Sequence, residues 1–143
     1  MIAIPDKCEV DTEGLEVVFE EKHRKMIYHN PKKKKCRKIQ VDGCVITEGL
    51  RCDKLLLYGD NNESSVESYV ELKGEDVSHA INQILTTIPQ IHKKDNKVQA
   101  FIVPTNYSPN ISGKKQKMIQ ELKKKYGKDS LLTIKNKICE CTI

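Results

Sequence analysis

The feature that most constrains this chain is an apolar stripe set between two strands. Val77, Ala80, Ile81, Ile84, Leu85 and Ile88 recur at the helical period, so the segment from Glu75 to Ile88 reads as a helix with one buried face. Asp76 or Glu75 stands where a cap or dipole partner belongs, and Pro89 falls just past the last apolar residue. Before the stripe, RCDKLLLYG (Arg51 to Gly59) and SYVELKG (Ser68 to Gly74) read as strands, the first closed by a polar Gly-Asp-Asn-Asn turn. After it, VQAFIVPT (Val98 to Thr105) is almost continuously apolar and ends on Pro104, the pattern of a strand covered on both faces.

The flanking segments extend this pattern. LEVVF (Leu15 to Phe19) leans to strand and leads into a charged stretch, EEKHRK. CRKIQVDGCVI (Cys36 to Ile46) alternates as a half-buried strand does, and Asp42-Gly43 marks a bend, bulge or turn. Ser112 opens a second helix to Tyr126, stopped by Gly127, and LLTIKNK (Leu131 to Lys137) is a last strand. Strand, strand, helix, strand, helix, strand implies an α/β fold with a central mixed β-sheet flanked by helices. At 143 residues, without a repeat or a linker-like stretch, the whole of 1–143 is expected to be a single domain.

Composition narrows the function classes. Apolar residues make up 38% of the chain, too many for a disordered protein, and no run is long enough to cross a membrane as a helix. No basic region followed by a long apolar run opens the sequence, so a cytoplasmic protein with no membrane partner is expected. The net charge of +5 gathers in PKKKKCRK (Pro31 to Lys38) and GKKQKMIQELKKKYGK (Gly113 to Lys128). Such runs attract polyanions, phosphate backbones above all, or serve as a solvated face. Cys8, Cys36, Cys44, Cys52, Cys139 and Cys141 form no C-x-x-C and have no paired histidines, so reduced, partly buried thiols are expected. A metal or iron–sulfur site joining Cys139, Cys141 and Cys8 is the lesser alternative.

The chemistry lies in one of four acid-x-lysine tripeptides. Glu20–Lys22, Asp95–Lys97 and Glu121–Lys123 fall in charged, loop or helical contexts. Only Glu71 and Lys73 lie within a strand, where period-two geometry puts both on one face with Tyr69, while Val70 and Leu72 point the other way. A charged pair in an apolar strand is costly unless paired or bound to a metal. If the two strands form an antiparallel hairpin, positions summing to about 125 stand opposite one another. Asp53 then falls beside Glu71 and Lys73, close enough for two carboxylates to share a hard cation. The bland alternative is a surface hairpin with a cross-strand ion pair.

Asp53 on one strand, then Glu71-Leu72-Lys73 ending the next, with a helix at once following, resembles the PD-(D/E)xK nuclease superfamily over roughly residues 36 to 106. Gly74, Glu75 and Asp76 after the lysine are similar to its small standalone bacterial members. Cys52 stands where the signature has proline. The resemblance implies a restriction-endonuclease-like core and a Mg²⁺- (or Mn²⁺-) dependent deoxyribonuclease. In that role Asp53 and Glu71 bind the metal together with the Leu72 carbonyl, and Lys73 orients the attacking water or stabilises transition-state charge. Gln83, on the helix after the motif, corresponds to a glutamine that supports the site in recombination-type members, with Thr87 where those have tyrosine. A further acidic ligand is expected from Glu16, Glu20, Glu21 or Asp42.

DNA is the expected partner, ahead of RNA. Lys115, Lys117, Lys123 and Lys124 are the expected phosphate contacts, on a helix docked through Met118, Ile119 and Leu122. Double-strand cutting by so small a domain favours a two-fold homodimer. The alternative from another class is a catalytically inactive module of the same fold that binds nucleic acid or serves as a subunit of a larger complex. Intact carboxylates favour the enzyme. With five tyrosines, two phenylalanines and no tryptophan, the chain is also poor in stacking platforms for single strands.

Overall fold

The computed structural model describes residues 2–72, 76–107 and 112–143. Its elements are β1 (Glu9–Thr12), β2 (Glu16–Glu21), β3 (Arg24–His29), β4 (Cys36–Gln40), β5 (Lys54–Tyr58), β6 (Val66–Glu71), α1 (Val77–Ile91), β7 (Lys97–Ile102), α2 (Ser112–Tyr126), β8 (Leu131–Ile134) and β9 (Ile138–Thr142). A six-stranded sheet runs in the order β1-β4-β5-β6-β7-β8, and a three-stranded sheet in the order β2-β3-β9. The β1-to-β6 pairings of the large sheet are antiparallel, whereas β6, β7 and β8 run parallel. The fold is therefore α/β with a mixed sheet, as the element pattern implied.

Three layers result, because the middle of the large sheet is apolar on both faces. One face buries Ile39, Leu55, Leu57, Tyr69, Ala100 and Ile102 against Ala80, Ile84, Ile88, Met118 and Leu122 of the two helices. The other buries Leu56, Val70, Leu72, Phe101 and Val103 against Val17, Phe19, Met26, Tyr28 and Cys139 of the small sheet. The three consecutive leucines of β5 suit this position, since successive side chains of a strand point to opposite layers. Tyr28 is the pivot of the second core. It meets Phe19 and Phe101 edge-on at centroid distances of 6.3 and 6.0 Å, and its hydroxyl bonds Ser68 Oγ at 2.6 Å.

Several elements depart from expectation. The charged stretch EEKHRK closes a hairpin: β2 pairs antiparallel with β3, and Lys22 and His23 both take positive φ, as a two-residue turn of the primed type requires. β3 and β9 lie outside the expected strands, so the second sheet is new, and β1 is an unexpected edge strand of the large one. Pro89 does not end α1. The helix continues to Ile91 because Ile88 and Ile91 are both buried, and that packing outweighs one missing N–H donor. Gly127 does end α2, at φ +111. Gly59 follows β5 where the chain doubles back so closely that a Cβ would run into the carbonyl of Glu63.

The thiol expectation is corrected. Cys8 and Cys44 form a disulfide, with their Cα atoms 5.7 Å apart. The reason is topological: β1 pairs with β4 in the register Glu9↔Ile39, which carries Cys8 to the turn that follows β4. Cys36, Cys52, Cys139 and Cys141 are free. The metal site imagined for Cys8, Cys139 and Cys141 is thereby excluded, with Cys8 bonded and Cys139 packed in the core of the small sheet. Among the described residues, no helix is long and apolar enough to cross a membrane.

Candidate active site

The β5–β6 hairpin pairs Lys54 with Val70 and Leu55 with Tyr69, positions summing to 124. Continued by one residue, this register sets Asp53 opposite Glu71 on the helix-facing side of the sheet. Both carboxylates are buried, at 2% and 1% exposure. Each is anchored on the other's strand. The Asp53 backbone N–H donates to Glu71 Oε1 at 3.1 Å, and the Leu72 N–H donates to Asp53 Oδ2 at 2.8 Å. Convergence of these two side chains is thus a property of the hairpin. A one-residue slip would send one of them to the opposite layer.

The strand entering the site is braced from two sides. From α1, Gln83 Nε2 donates to the Arg51 carbonyl at 3.0 Å, and Thr87 Oγ1 accepts the Cys52 N–H at 2.8 Å while donating to the Gln83 carbonyl at 2.7 Å. Gln83 is therefore turned toward the fold, while Asp76 and His79 on the same helix are exposed. Asp76 caps α1, its carboxylate accepting the His79 N–H at 3.1 Å. From the turn after β4, the N–H groups of Val41 and Asp42 both donate to the Asp53 carbonyl, at 3.0 and 3.2 Å. The Asp42 carboxylate accepts from Arg51 Nε at 2.8 Å. Burial first, and the Glu71 charge second, push the Cys52 thiol well above its ordinary range.

The remaining expected residues are placed unevenly. Lys73 lies outside the described residues. The Leu72 carbonyl, expected to face a metal, accepts Arg24 Nη1 at 2.7 Å, and Arg24 Nε donates to Thr105 Oγ1 at 2.7 Å. Glu16 and Glu20 are exposed on the outer sheet, near His29 and Lys25 respectively. Glu21 is half-buried and pairs with Lys54 at 3.4 Å. Of the four candidates for a further acidic ligand, Asp42 is the one whose backbone touches Asp53. Of the lysines on α2, Lys117, Lys123 and Lys124 are exposed and Lys115 is half-buried, while Met118 and Leu122 dock the helix as expected. The Pro31–Lys38 run is partly consumed by structure. Lys34 pairs with Asp60 at 2.9 Å, Arg37 with Glu9 at 2.6 Å, and Lys38 donates to the Val18 carbonyl at 2.7 Å.

Sequence reasoning missed Arg24 and Glu67. Glu67 is buried on the same face as Tyr69 and Glu71, and it accepts from Tyr69 Oη at 2.7 Å and from His92 Nδ1, Lys93 N–H and Asn96 Nδ2 at 2.9 Å each. Its signal was present, since Glu67, Tyr69 and Glu71 alternate along one apolar strand. Four donors on one carboxylate make it a structural anchor for the α1–β7 connection. Arg24 carried no such signal, because its strand was not expected.

Among the described residues, no three of histidine, cysteine, aspartate and glutamate gather as a metal site. The donors that do meet, two carboxylates on neighbouring strands, are hard oxygen ligands of the kind Mg²⁺ or Mn²⁺ takes with water completing the shell. Comparison with protein-family models, with curated proteins and with solved structures finds no match to this chain.

Proposed function

We propose that this chain is a metal-dependent nuclease with a restriction-endonuclease-like core, hydrolysing phosphodiester bonds of DNA. The observation that carries the reading is the buried Asp53–Glu71 pair, each carboxylate held by a backbone N–H of the other's strand where β6 gives way to α1. Two adjacent carboxylates at the end of neighbouring strands are the hard oxygen donors that a divalent cation takes. A divalent cation held there supplies Lewis-acid polarisation of the phosphodiester and a water acidic enough to attack near neutral pH. Asp53 and Glu71 would hold it, and Lys73, in the role the resemblance implies, would orient the water or stabilise charge on the phosphate. Gln83 and Thr87 are positioning residues that fix the entry to Asp53 through the Arg51 carbonyl and the Cys52 N–H. The test is cleavage of plasmid and single-stranded DNA with Mg²⁺, Mn²⁺ and EDTA compared. Metal-dependent cutting is expected, and absence of cutting of DNA or RNA with every divalent metal tried rejects the reading.

One observation favours a second reading. Arg24 occupies the Leu72 carbonyl, and the two carboxylates are almost wholly buried. A module that binds nucleic acid without cutting it, or that serves as a subunit of a larger complex, tolerates both features. Binding in EDTA without cleavage under any metal is its signature.

A further inference from the structure

β6, β7 and β8 run parallel, and α1 and α2 follow β6 and β7 respectively. Both helices therefore begin at the edge of the sheet where β6 ends on Glu71. Between them runs a groove of about 240 Å³. This is below the ~300 Å³ at which pockets begin to enclose whole ligands, so the groove suits a chain lying along it better than an engulfed small molecule. Ile81 and Met118 form its buried floor. Its walls carry Ser78 and Asn82 from α1 and Lys114 and Lys117 from α2.

The charge of this groove is one-sided. Lys114 and Lys117, three residues apart and thus neighbours on one helix face, are exposed, and among the described residues neither pairs with a carboxylate. The acid lining the groove, Glu121, is already paired with Lys125 at 2.7 Å. Ser78 and Asn82 add a hydroxyl and an amide, which suit phosphate and sugar oxygens. Lys123 and Lys124, by contrast, lie on the last turns of α2, ~9 Å or more farther along the axis from Lys117 and away from the carboxylate edge.

We propose that the groove between α1 and α2 is a docking track for the sugar–phosphate backbone of one nucleic-acid strand, held through its phosphates without base stacking, with Lys114 and Lys117 on neighbouring phosphates and Ser78 and Asn82 donating to the same backbone. The track rests on the nuclease reading only in delivering that strand toward Asp53 and Glu71. It makes Lys114, absent from the sequence-based set of contacts, a principal one, and it demotes Lys123 and Lys124.

The test is anisotropy titration of a labelled single-stranded DNA of about 12 nucleotides in EDTA, where cleavage is silent, over a series of salt concentrations. K114Q/K117Q is expected to weaken binding about tenfold or more at ~0.1 M salt and to flatten the log–log salt slope by about 1.4, two phosphate contacts at ~0.7 each. K123Q/K124Q is expected to change binding by less than about threefold. Unchanged binding by K114Q/K117Q, an equal loss in both pairs, or no measurable binding by the wild type overturns the track. The two readings fail separately. A wild type that binds with the expected variant pattern but cuts nothing under any metal loses the nuclease reading and keeps the track. A wild type that cuts with Mg²⁺ while K114Q/K117Q binds normally keeps the nuclease reading and loses the track.

Discussion

At the scale of single residues, the site is a matter of which backbone N–H each carboxylate holds. Glu71 accepts from Asp53, and a glutamine at 71 retains an oxygen for that bond while losing the charge that would bind a cation. Glu71→Gln is therefore expected to leave the fold intact and lower metal-dependent cleavage by about 10²–10³, the usual cost of one transition-state charge interaction. Circular dichroism alongside the cleavage assay checks both halves. If the variant cuts as fast as the wild type, Glu71 is not a ligand. Thr87 carries a stability prediction that does not depend on the function. It is fully buried and takes the Cys52 N–H at 2.8 Å. Thr87→Val keeps the shape and orphans that donor, which costs about 1–3 kcal/mol. Urea unfolding measures the loss, and a value near zero would mean the segment finds another partner.

Elements, unlike residues, are tied together by what crosses between them, and here the strongest tie is the Cys8–Cys44 bond. It fastens the segment before β1 to the turn whose Val41 and Asp42 N–H groups support the Asp53 carbonyl. Closing a loop across a separation of 36 residues restricts the unfolded chain enough to be worth about 2–4 kcal/mol. Cys8→Ser/Cys44→Ser is expected to lose that amount in urea. Thiol titration of denatured, unreduced wild type should find four free thiols, and finding six would refute the bond. This tie was invisible in the sequence because it depends on β1, whose EVDT has no apolar alternation to announce a strand. β3 was hidden for a related reason: RKMIYH buries only Met26 and Tyr28, under a charged exterior. By contrast, β5, β6, β7 and both helices were legible, since their apolar periods are set by two covered faces or one. The Asp53–Glu71 pairing followed from the hairpin register implied by those strands, to within one position. The Arg24 contact depends on the unseen sheet and could not be inferred.

Over the whole molecule, the small sheet turns the outer face of β5–β7 into a second closed core, and that core is lined with groups that titrate in alkali. Burial pushes the Tyr58 hydroxyl up to about 12, helped by Cys141, and pushes the Cys141 thiol up to about 12, helped by Cys139. The same cause drives the fully buried Tyr28 upward and raises Cys36 and Cys139. In the unfolded chain these thiols release their protons near pH 9 and the phenols near pH 10. Above those values the folded state retains protons that the unfolded state has lost, so stability must fall as pH rises. Below pH 9 these groups are protonated in both states and their contribution is constant. The expected profile, as far as this core determines it, is a Tm flat from about pH 7 to 8.5 that declines progressively from about pH 9 toward 12. A scanning-calorimetry series across that range, repeated on Cys141→Ala, checks the assignment. The variant should begin its decline later and fall less steeply, because one of the raised groups is gone. An unchanged slope in the variant would show that Cys141 does not titrate with unfolding, and a wild-type Tm that stays flat to pH 11 would show that the second core is open to water.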